Sequence, residues 1–558
     1  MDILDHCDRR NPTSTLSRKL TFWIRTRPIR PPMFSLTRSF TTVLTGLALL
    51  ASITLRANNI QVSNATLTGN DGVQGFCQVQ FDLTWQNSWR GGGVTNWDAA
   101  WVFVKFRATT GGWRHAALSN TGHLAPSGSL IETGLLSPGT AFNASTNPVI
   151  GAFIRRSAEG TGVFSATGAQ LRWNYIAQGL FFNDIAEVQV YAIEMVLVNA
   201  GPFAAGSGGT ETNAFTLTTI NTANASTTPS GAGSLGGQAG GHPNNGSPGA
   251  NSSYPNGFTA YYCMKYEVSQ QQYVDFLNTL TRNQQSYHTG TDLTSAVTSV
   301  TNRYVMSNSA TQVGRNGIRC NATVVANEPI LFYCDANGNG TGGEATDGLW
   351  RACNYLSFPD LGAYLDWSGL RPLSELEFEK ACRGGLLPVA NEFAWGTTTI
   401  ASSAYTLANN GSTNEGINTA FSVTSGNCSY STTDGVLDGP LRVGVFAANV
   451  ASTGRVTAGA GAPGIMELSG NVSEFVVDLW NFGTDYTGTH GDGTLTSFGG
   501  HTTATWPDND VGGGATIRGG GFSSSSPSLR TSDRSSILST GWGNRFSAVG
   551  GRGVRTAP

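Results

Sequence analysis

Apolar side chains recur at every second position in the N-terminal third of the chain. In residues 77–85 the apolar positions are Cys77, Val79, Phe81, Leu83 and Trp85, and residues 101–106 are rich in aromatic and β-branched side chains. A period of two places alternate side chains on opposite faces of a strand. With Gly and Asn clusters at turn spacing, the pattern predicts an immunoglobulin-like β-sandwich over residues 58–190.

The C-terminal two thirds of the chain contain short segments with helical start and stop signals. A Ser followed three residues later by Glu or Gln forms a capping box, Pro favours the first helical turn, and Gly favours the C-terminal end. The predicted helices are one capped by Ser269 with Gln272, one opened by Pro359 and closed by Gly369, and one capped by Ser374 with Glu377 and stopped by Gly384.

Residues beyond 385 lack helical periodicity, and residues 201–257 form a loop rich in Gly, Ser and Asn. Few helices among long irregular segments predict a compact α+β domain over residues 191–558. The fold class is therefore α+β, with an N-terminal β-sandwich.

The composition argues against a nucleic-acid partner. Charged residues make up 12% of the chain, the formal net charge is -3, and no Lys/Arg block follows residue 38. A surface that tracks phosphates needs clustered positive charge. Gly is the most prominent small residue, at 72 of 558 positions, which indicates a surface dominated by turns and loops.

Residues 1–57 have the pattern of a signal peptide with an N-terminal extension. The apolar stretch 40–55 follows Arg38 and precedes a small-residue site near Ala57, and Met33 is an alternative start. The stretch is shorter than the roughly 20 apolar residues of a membrane span. We expect a secreted or cell-envelope protein with no transmembrane span after cleavage; an uncleaved anchor is the alternative.

Seven cysteines follow the predicted cleavage site, so at least one has no partner within the chain. Cys77 shares the apolar face of its predicted strand, which favours a buried free thiol. The other six permit up to three disulfides of open connectivity: Cys263, Cys320, Cys334, Cys353, Cys382 and Cys428.

Signatures of common enzyme classes are absent. The chain has no His-Glu-x-x-His zinc motif, no Gly-x-Ser-x-Gly nucleophile elbow and no Gly-x-x-x-x-Gly-Lys phosphate loop. These absences disfavour a His-based zinc hydrolase, an α/β-hydrolase and a P-loop nucleotidase.

Six segments in order along residues 193–555 resemble the formylglycine-generating enzyme (sulfatase-modifying factor) family. They are Ile193-Glu-Met-Val-Leu-Val-Asn-Ala-Gly201-Pro-Phe, Met264-Lys-Tyr-Glu267-Val-Ser, Leu370-Arg-Pro-Leu-Ser-Glu-Leu-Glu-Phe-Glu-Lys-Ala-Cys-Arg383-Gly-Gly, Ala394-Trp395-Gly396, Gly464-Ile-Met-Glu-Leu-Ser-Gly470-Asn-Val-Ser-Glu474-Phe, and Ile517-Arg518-Gly519-Gly520 through Gly553-Val-Arg555. The resemblance implies a C-type-lectin-like fold with little regular secondary structure.

The resemblance also locates the family's redox centre. Active members bind copper with two cysteines shortly after the Arg-Gly-Gly segment and oxidise a substrate cysteine to formylglycine. Here residues 521–530 read Gly-Phe-Ser-Ser-Ser-Ser-Pro-Ser-Leu-Arg, without cysteine. Hydroxyls are too hard and too basic to replace thiolates on Cu(I). Copper is therefore not expected.

Two calcium sites are implied by the same resemblance. The first set comprises Glu467, the carbonyls of Gly470 and Val472, and Glu474. The second comprises Asn409, the carbonyl of Asn410, and Asp434 or Asp438 with a following carbonyl. Carboxylate, amide and carbonyl oxygens are the ligands that calcium prefers.

These features favour a non-catalytic, calcium-stabilised binding protein for an extracellular protein, peptide or glycan. The predicted ligand-binding residues are Ser523, Ser524, Ser525, Arg530, Asp533, Arg534, Trp542 and Arg545. Structural pairing of the arginines with carboxylates is the alternative. Two further hypotheses stay open: a divergent oxidase that acts on protein cysteine with the remaining thiols, and a structural part of an envelope secretion or motility assembly. Retroelement-diversified receptors, which resemble this family, vary the same C-terminal stretch.

Overall fold

A computed structural model describes residues 59–91, 96–223, 253–479, 485–507, 514–536 and 543–558. All of them belong to one compact unit, Thr54–Pro558. The predicted signal peptide, much of the Gly-rich loop and Trp542 lie outside the described residues.

Strands dominate the described part of the chain. They are β1 (Gln61–Asp71), β2 (Phe76–Arg90), β3 (Asp98–Ala108), β4 (Trp113–His115), β5 (Ser129–Leu135), β6 (Val149–Arg156), β7 (Gly160–Trp173), β8 (Ile185–Val198), β9 (Phe203–Ala205), β10 (Thr218–Ile220), β11 (Tyr261–Met264), β12 (Ile318–Cys320), β13 (Phe332–Cys334), β14 (Arg371–Pro372), β15 (Thr406–Ala408), β16 (Gly416–Thr419), β17 (Ser473–Val477), β18 (Ala515–Arg518), β19 (Val549–Gly550) and β20 (Gly553–Thr556). With few helices beside them, the α+β class is confirmed.

The described helices are short, and each predicted one is present. They are α1 (Gln270–Leu277), α2 (Arg282–Tyr287), α3 (Phe358–Ser368), α4 (Glu375–Arg383) and α5 (Ser431–Asp434). Capping boxes begin α1 at Ser269 and α4 at Ser374, and Gly369 ends α3 in the left-handed conformation with φ 71°. Neither α2 nor the four-residue α5 is predicted from the sequence.

The largest sheet has eight strands, which run in sequence from β3 to β20. Its order is β14-β20-β11-β8-β3-β6-β5, with β4 paired to β3. Strand β8 pairs antiparallel with β3 on one side and with β11 on the other. The boundary that we predict at residue 190 therefore lies inside β8, and a separate immunoglobulin-like domain stays a prediction.

Both faces of this sheet are buried. One face packs against the three-stranded sheet β1-β2-β7, where the alternating residues 77–85 point inward. The other face packs against α1 and α3. The indole Nε1 of Trp101, on β3, donates to the carbonyl of Ser368 at 2.8 Å. Positions 134 and 151 require glycine, because a methyl group added to Gly134 or Gly151 would lie 2.5 Å from the Trp101 ring.

Among the described helices, none is long and apolar enough to cross a membrane. Beyond β13, helices α3 and α4 and the sheet β18-β17-β19 hold the long loops that carry the predicted site residues.

Candidate functional site

Helix α4 carries three buried glutamates at alternate positions: Glu375, Glu377 and Glu379. Glu377 completes the cap, since its backbone N–H donates to the Ser374 hydroxyl at 3.1 Å and its carboxylate accepts the Ser374 N–H at 3.1 Å. The same carboxylate forms a bidentate pair with Arg371 at 2.6 and 2.8 Å. Within the Arg-Pro-Leu-Ser-Glu-Leu-Glu motif, Ser374 thus caps the helix and Arg371 neutralises Glu377, the middle of the three glutamates.

The other two glutamates of α4 pair with arginines from the C-terminal loops. Glu375 accepts hydrogen bonds from Nε and Nη2 of Arg534, each at 2.8 Å, and from Nη1 of Arg518 at 3.1 Å. Glu379 binds Arg518 at 3.0 Å and Arg383 at 2.8 Å. Arg383 also contacts Glu392. We call these six side chains the buried ion network: Glu375, Glu379, Glu392, Arg383, Arg518 and Arg534.

The buried ion network is balanced, with three carboxylates and three guanidinium groups. Burial alone raises the pKa of Glu375, but Arg534 and Arg518 outweigh it and lower that pKa to about 2. A desolvated carboxylate stays ionised at neutral pH only with such partners. The network fixes the segment after β18 against helix α4.

The segment of residues 523–528, here the serine segment, follows Gly519, Gly520, Gly521 and the buried Phe522 and lies in the chain between Arg518 and Arg534. The Ser524 hydroxyl accepts the Gly521 N–H at 3.0 Å, and its carbonyl accepts the Ser431 N–H at 3.0 Å. Ser523 and Ser525 are exposed. The predicted serines are therefore brought together, with two hydroxyl side chains facing solvent.

Two side chains of this region converge on Gly520. A methyl group added there would lie 3.2 Å from Ser524 Cβ and 2.8 Å from Leu529 Cδ1. Gly520 has φ 63°, a left-handed conformation that also favours glycine. Residues 524 and 529 are thus close neighbours across one glycine.

Arg530 and Asp533 lie next to the serine segment. Arg530 Nη1 donates to Asn391 Oδ1 at 3.2 Å, and its buried Nε has no partner among the described residues. Asp533 accepts the Ser535 hydroxyl at 2.6 Å. Arg530 is partly exposed, so among the predicted arginines it is the one beside the exposed serines.

Arg534 and Arg545 do not join that surface. Arg534 is 1% exposed and belongs to the buried ion network, with Phe215 under its guanidinium at 3.9 Å. Arg545 lies elsewhere, where it donates to Asp360 at 2.7 Å and to the Tyr287 carbonyl at 2.7 Å. Both form the carboxylate pairs that were the alternative reading of these arginines. Trp542 lies outside the described residues.

All seven described cysteines are buried free thiols, including Cys77 as predicted. The disulfides considered for the other six are not present among these residues. Burial raises the pKa of Cys382 to about 12 and also raises that of Cys428. Cys428 packs with Phe393 and Leu529, so it lies beneath the end of the serine segment.

The first predicted calcium set lies in a second buried cluster, which we call the acid cluster: Glu267, Glu467, Glu474 and Arg552. Arg552 binds both Glu474 oxygens at 2.6 Å. Glu267 accepts the Val472 N–H at 3.0 Å. Glu467 accepts the Gly444 N–H at 2.8 Å through Oε1, and its buried Oε2 has no partner among the described residues.

The acid cluster has three carboxylates for one fully engaged guanidinium. Burial is the largest cause that raises the pKa of Glu467, to about 7, and the pKa of Glu267 lies well above its usual value because burial adds to repulsion from Glu467 and Glu474. The orphaned Glu467 Oε2 and the excess of carboxylates attract positive charge, but these three glutamates are not arranged as a three-ligand metal site. Glu474 fits less directly, since Arg552 already neutralises it.

The second predicted set lies beside two arginines, which contact the Asn410 side chain. Asn410 Oδ1 accepts from Arg315 and from Arg351, each at 2.8 Å. Asp434 accepts the backbone N–H of Asp438 at 2.9 Å. A divalent cation at Asn410 would face two guanidinium groups. In the part of the chain that the structure describes, no group of three or more His, Cys, Asp or Glu side chains is arranged to hold a metal.

Sequence reasoning missed the arginines at both predicted metal sites. Arg552 immediately precedes the family-like residues Gly553-Val-Arg555, and Glu267 lies in another such segment. A search of those segments for acidic and basic residues would have suggested that Arg552 pairs with a buried glutamate. Arg315 and Arg351 lie outside the six segments, and no sequence signal connects them to Asn410.

The chain is similar to one known protein family. A family model of the sulfatase-modifying factor enzyme 1-like domain matches residues 182–557. No curated protein matches the sequence significantly.

Proposed function

The chain belongs to the sulfatase-modifying factor family, and on that premise we propose that it is a binding protein rather than an oxidase. It retains the scaffold and presents hydroxyl side chains where active members bind copper with cysteine. Its ligand is an extracellular protein, peptide or glycan. The site of action is outside the cytoplasm, which rests on the apolar stretch 40–55.

The observation that carries this proposal is the cysteine-free segment after Gly519-Gly520. Cu(I) needs soft thiolate ligands and a geometry that exposes them to substrate. Residues 521–530 offer serine hydroxyls instead. Exposed Ser523 and Ser525 with the neighbouring Arg530 provide hydroxyl and guanidinium donors, which suit adaptable recognition of polar ligands.

Copper binding distinguishes the two functions. We expect the full chain to retain no Cu(I) after gel filtration, whereas the variant Ser524→Cys with Leu529→Cys should retain it because those side chains converge on Gly520. The matched control is Ser523→Cys with Leu529→Cys, which starts from an exposed serine. Stoichiometric copper on the unmodified chain would contradict the proposal.

A divergent oxidase is the second candidate, because Cys428 lies beneath the serine segment. This thiol would need to be exposed and ionised to bind copper, whereas burial raises its pKa. In the Cys7→Ser variant, a thiol reagent should modify the seven described cysteines only after unfolding. Rapid native modification that disappears in Cys428→Ser would favour the oxidase.

Calcium is proposed as a structural ligand of the acid cluster, with Glu467 as the side chain that has a free oxygen. Binding would favour ionised Glu467 and stabilise the folded chain by mass action. Millimolar calcium should raise the Tm of the unmodified chain and leave that of Glu467→Gln unchanged. An equal response of both proteins would exclude this ligand set.

A further inference from the structure

A surface cavity of about 470 Å³ lies between the loop after α2 and the loop before α5, away from the serine segment. Two arginines, Arg315 and Arg351, line it together with Gln312, Asn410 and Val436. Both arginines are largely buried, at 8% and 4% exposure. Cationic groups at the base of a polar cavity indicate affinity for negative charge.

The arginines outnumber their carboxylate partner. Glu415 binds Arg315 at 2.6 Å and lies 3.6 Å from Arg351 Nε. A third arginine, Arg442, donates its Nε to the Glu415 backbone carbonyl at 2.7 Å and its backbone N–H to the Glu415 carboxylate at 3.0 Å. The pKa of Glu415 is lowered because these arginines outweigh its burial. One carboxylate thus stabilises the charge of two cavity-lining guanidinium groups.

The remaining nearby acids are engaged elsewhere. Asp434 accepts backbone N–H groups of Asp438 and Gly439, and Asp347 accepts the Glu344 N–H at 2.7 Å. Asn410 orients both arginines through one oxygen. Asp434 interacts with Arg315 through its charge, and among the described residues Glu415 is the carboxylate that pairs directly with both arginines.

Two donors in the cavity lining have no hydrogen-bond partner among the described residues. They are Arg351 Nε and Gln312 Nε2, both inaccessible to solvent as atoms. Leaving a buried donor without an acceptor costs about 1–3 kcal/mol, more for a charged group. An oxyanion in the cavity would supply countercharge to the two arginines that line it.

We propose that this cavity is a binding site for an oxyanion group, sulfate, phosphate or carboxylate, held by Arg315 and Arg351. The planar guanidinium fork matches the oxygen geometry of all three. The volume exceeds that of a free inorganic ion and suits an anionic group carried on a larger small molecule. The site stands independently of the function proposed above.

Isothermal titration of the full chain with sulfate, phosphate and acetate at constant ionic strength tests the site. At least one anion should bind saturably, and Arg351→Gln should abolish that binding. The anion that binds identifies the oxyanion class. Because Arg351→Gln could unfold the chain, Val436→Glu supplies a second variant: Val436 is 95% exposed on the cavity rim, and a carboxylate there repels the anion.

Val436→Glu should weaken binding by about fivefold or more, on the order expected for a nearby like charge near the surface. The neutral control Val436→Gln should leave the affinity unchanged. Saturable binding by none of the three anions would overturn the proposal, as would equal affinities of Val436→Glu and Val436→Gln.

Discussion

The buried ion network and the serine segment, which lies in the sequence between Arg518 and Arg534, differ in what holds them. Glu375 and Arg534 are fully buried, and each is fixed by charged partners from distant parts of the sequence. Ser523 and Ser525, in contrast, project to solvent from a segment held by backbone hydrogen bonds. We therefore expect the scaffold to depend on the buried charge pairs and the fold to tolerate substitution of Ser523 and Ser525.

Removing a carboxylate from the buried ion network should have the largest effect on stability. Glu375→Ala leaves Arg518 and Arg534 without their shared partner. Breaking a buried ion pair by deleting one side costs about 3–5 kcal/mol. Urea unfolding followed by tryptophan fluorescence measures the change. A loss below about 1 kcal/mol, within the range of ordinary surface substitutions and modest packing losses, would show that the network does not anchor the segment.

The acid cluster should give an intermediate effect with a defined pH dependence. The pKa of Glu467 is raised from 4.5 to about 7 in the folded chain, so the folded state binds more protons than the unfolded state between these values. Stability contributed by protonated Glu467 is complete below about pH 4.5 and is lost as pH rises through about 7. Glu467→Gln should remove this loss.

The measurement is the free energy of unfolding of the unmodified chain and Glu467→Gln at several pH values without calcium. The exposed Glu159→Gln serves as the control and should follow the unmodified chain. Parallel pH profiles for Glu467→Gln and the unmodified chain would mean that the pKa of Glu467 is the same in the folded and unfolded states.

Changes in the serine segment should have the smallest effect. Ser523→Ala with Ser525→Ala removes two exposed hydroxyls that the fold does not use. The free energy of unfolding should change by no more than about 0.5 kcal/mol per site. Thermal and urea unfolding check this expectation, and a loss as large as that of Glu375→Ala would erase the contrast between the two regions.

Local signals predicted the elements that depend on local chemistry. Ser269, Ser374 and Gly369 begin or end helices where the sequence placed them, because caps act within one turn. The alternating residues 77–85 are buried as expected, since their period matches a strand. The six family-like segments indicated the family, and the family match over residues 182–557 confirms it.

Partners that are distant in sequence could not be predicted in this way. Strand β8 joins β3 to β11, and nothing in its own residues states that its two edges pair with different parts of the chain. The sequence analysis predicted that Arg534 binds a ligand. Its actual partner, Glu375, lies 159 residues away and could not be recognised from the sequence. Arg552 and Arg351 were missed for the same reason: charge pairing in a buried cluster is set by the tertiary fold.

The most direct measurement is an assay for aldehyde formation on a cysteine-containing peptide. The full chain is incubated with the peptide, Cu(I), a thiol reductant and dioxygen, and the product is detected by hydrazide labelling and mass spectrometry. We predict no aldehyde above the level without protein, because residues 521–530 contain no cysteine. Aldehyde formation that requires both the chain and dioxygen would contradict the proposal that this chain binds a ligand and does not oxidise cysteine.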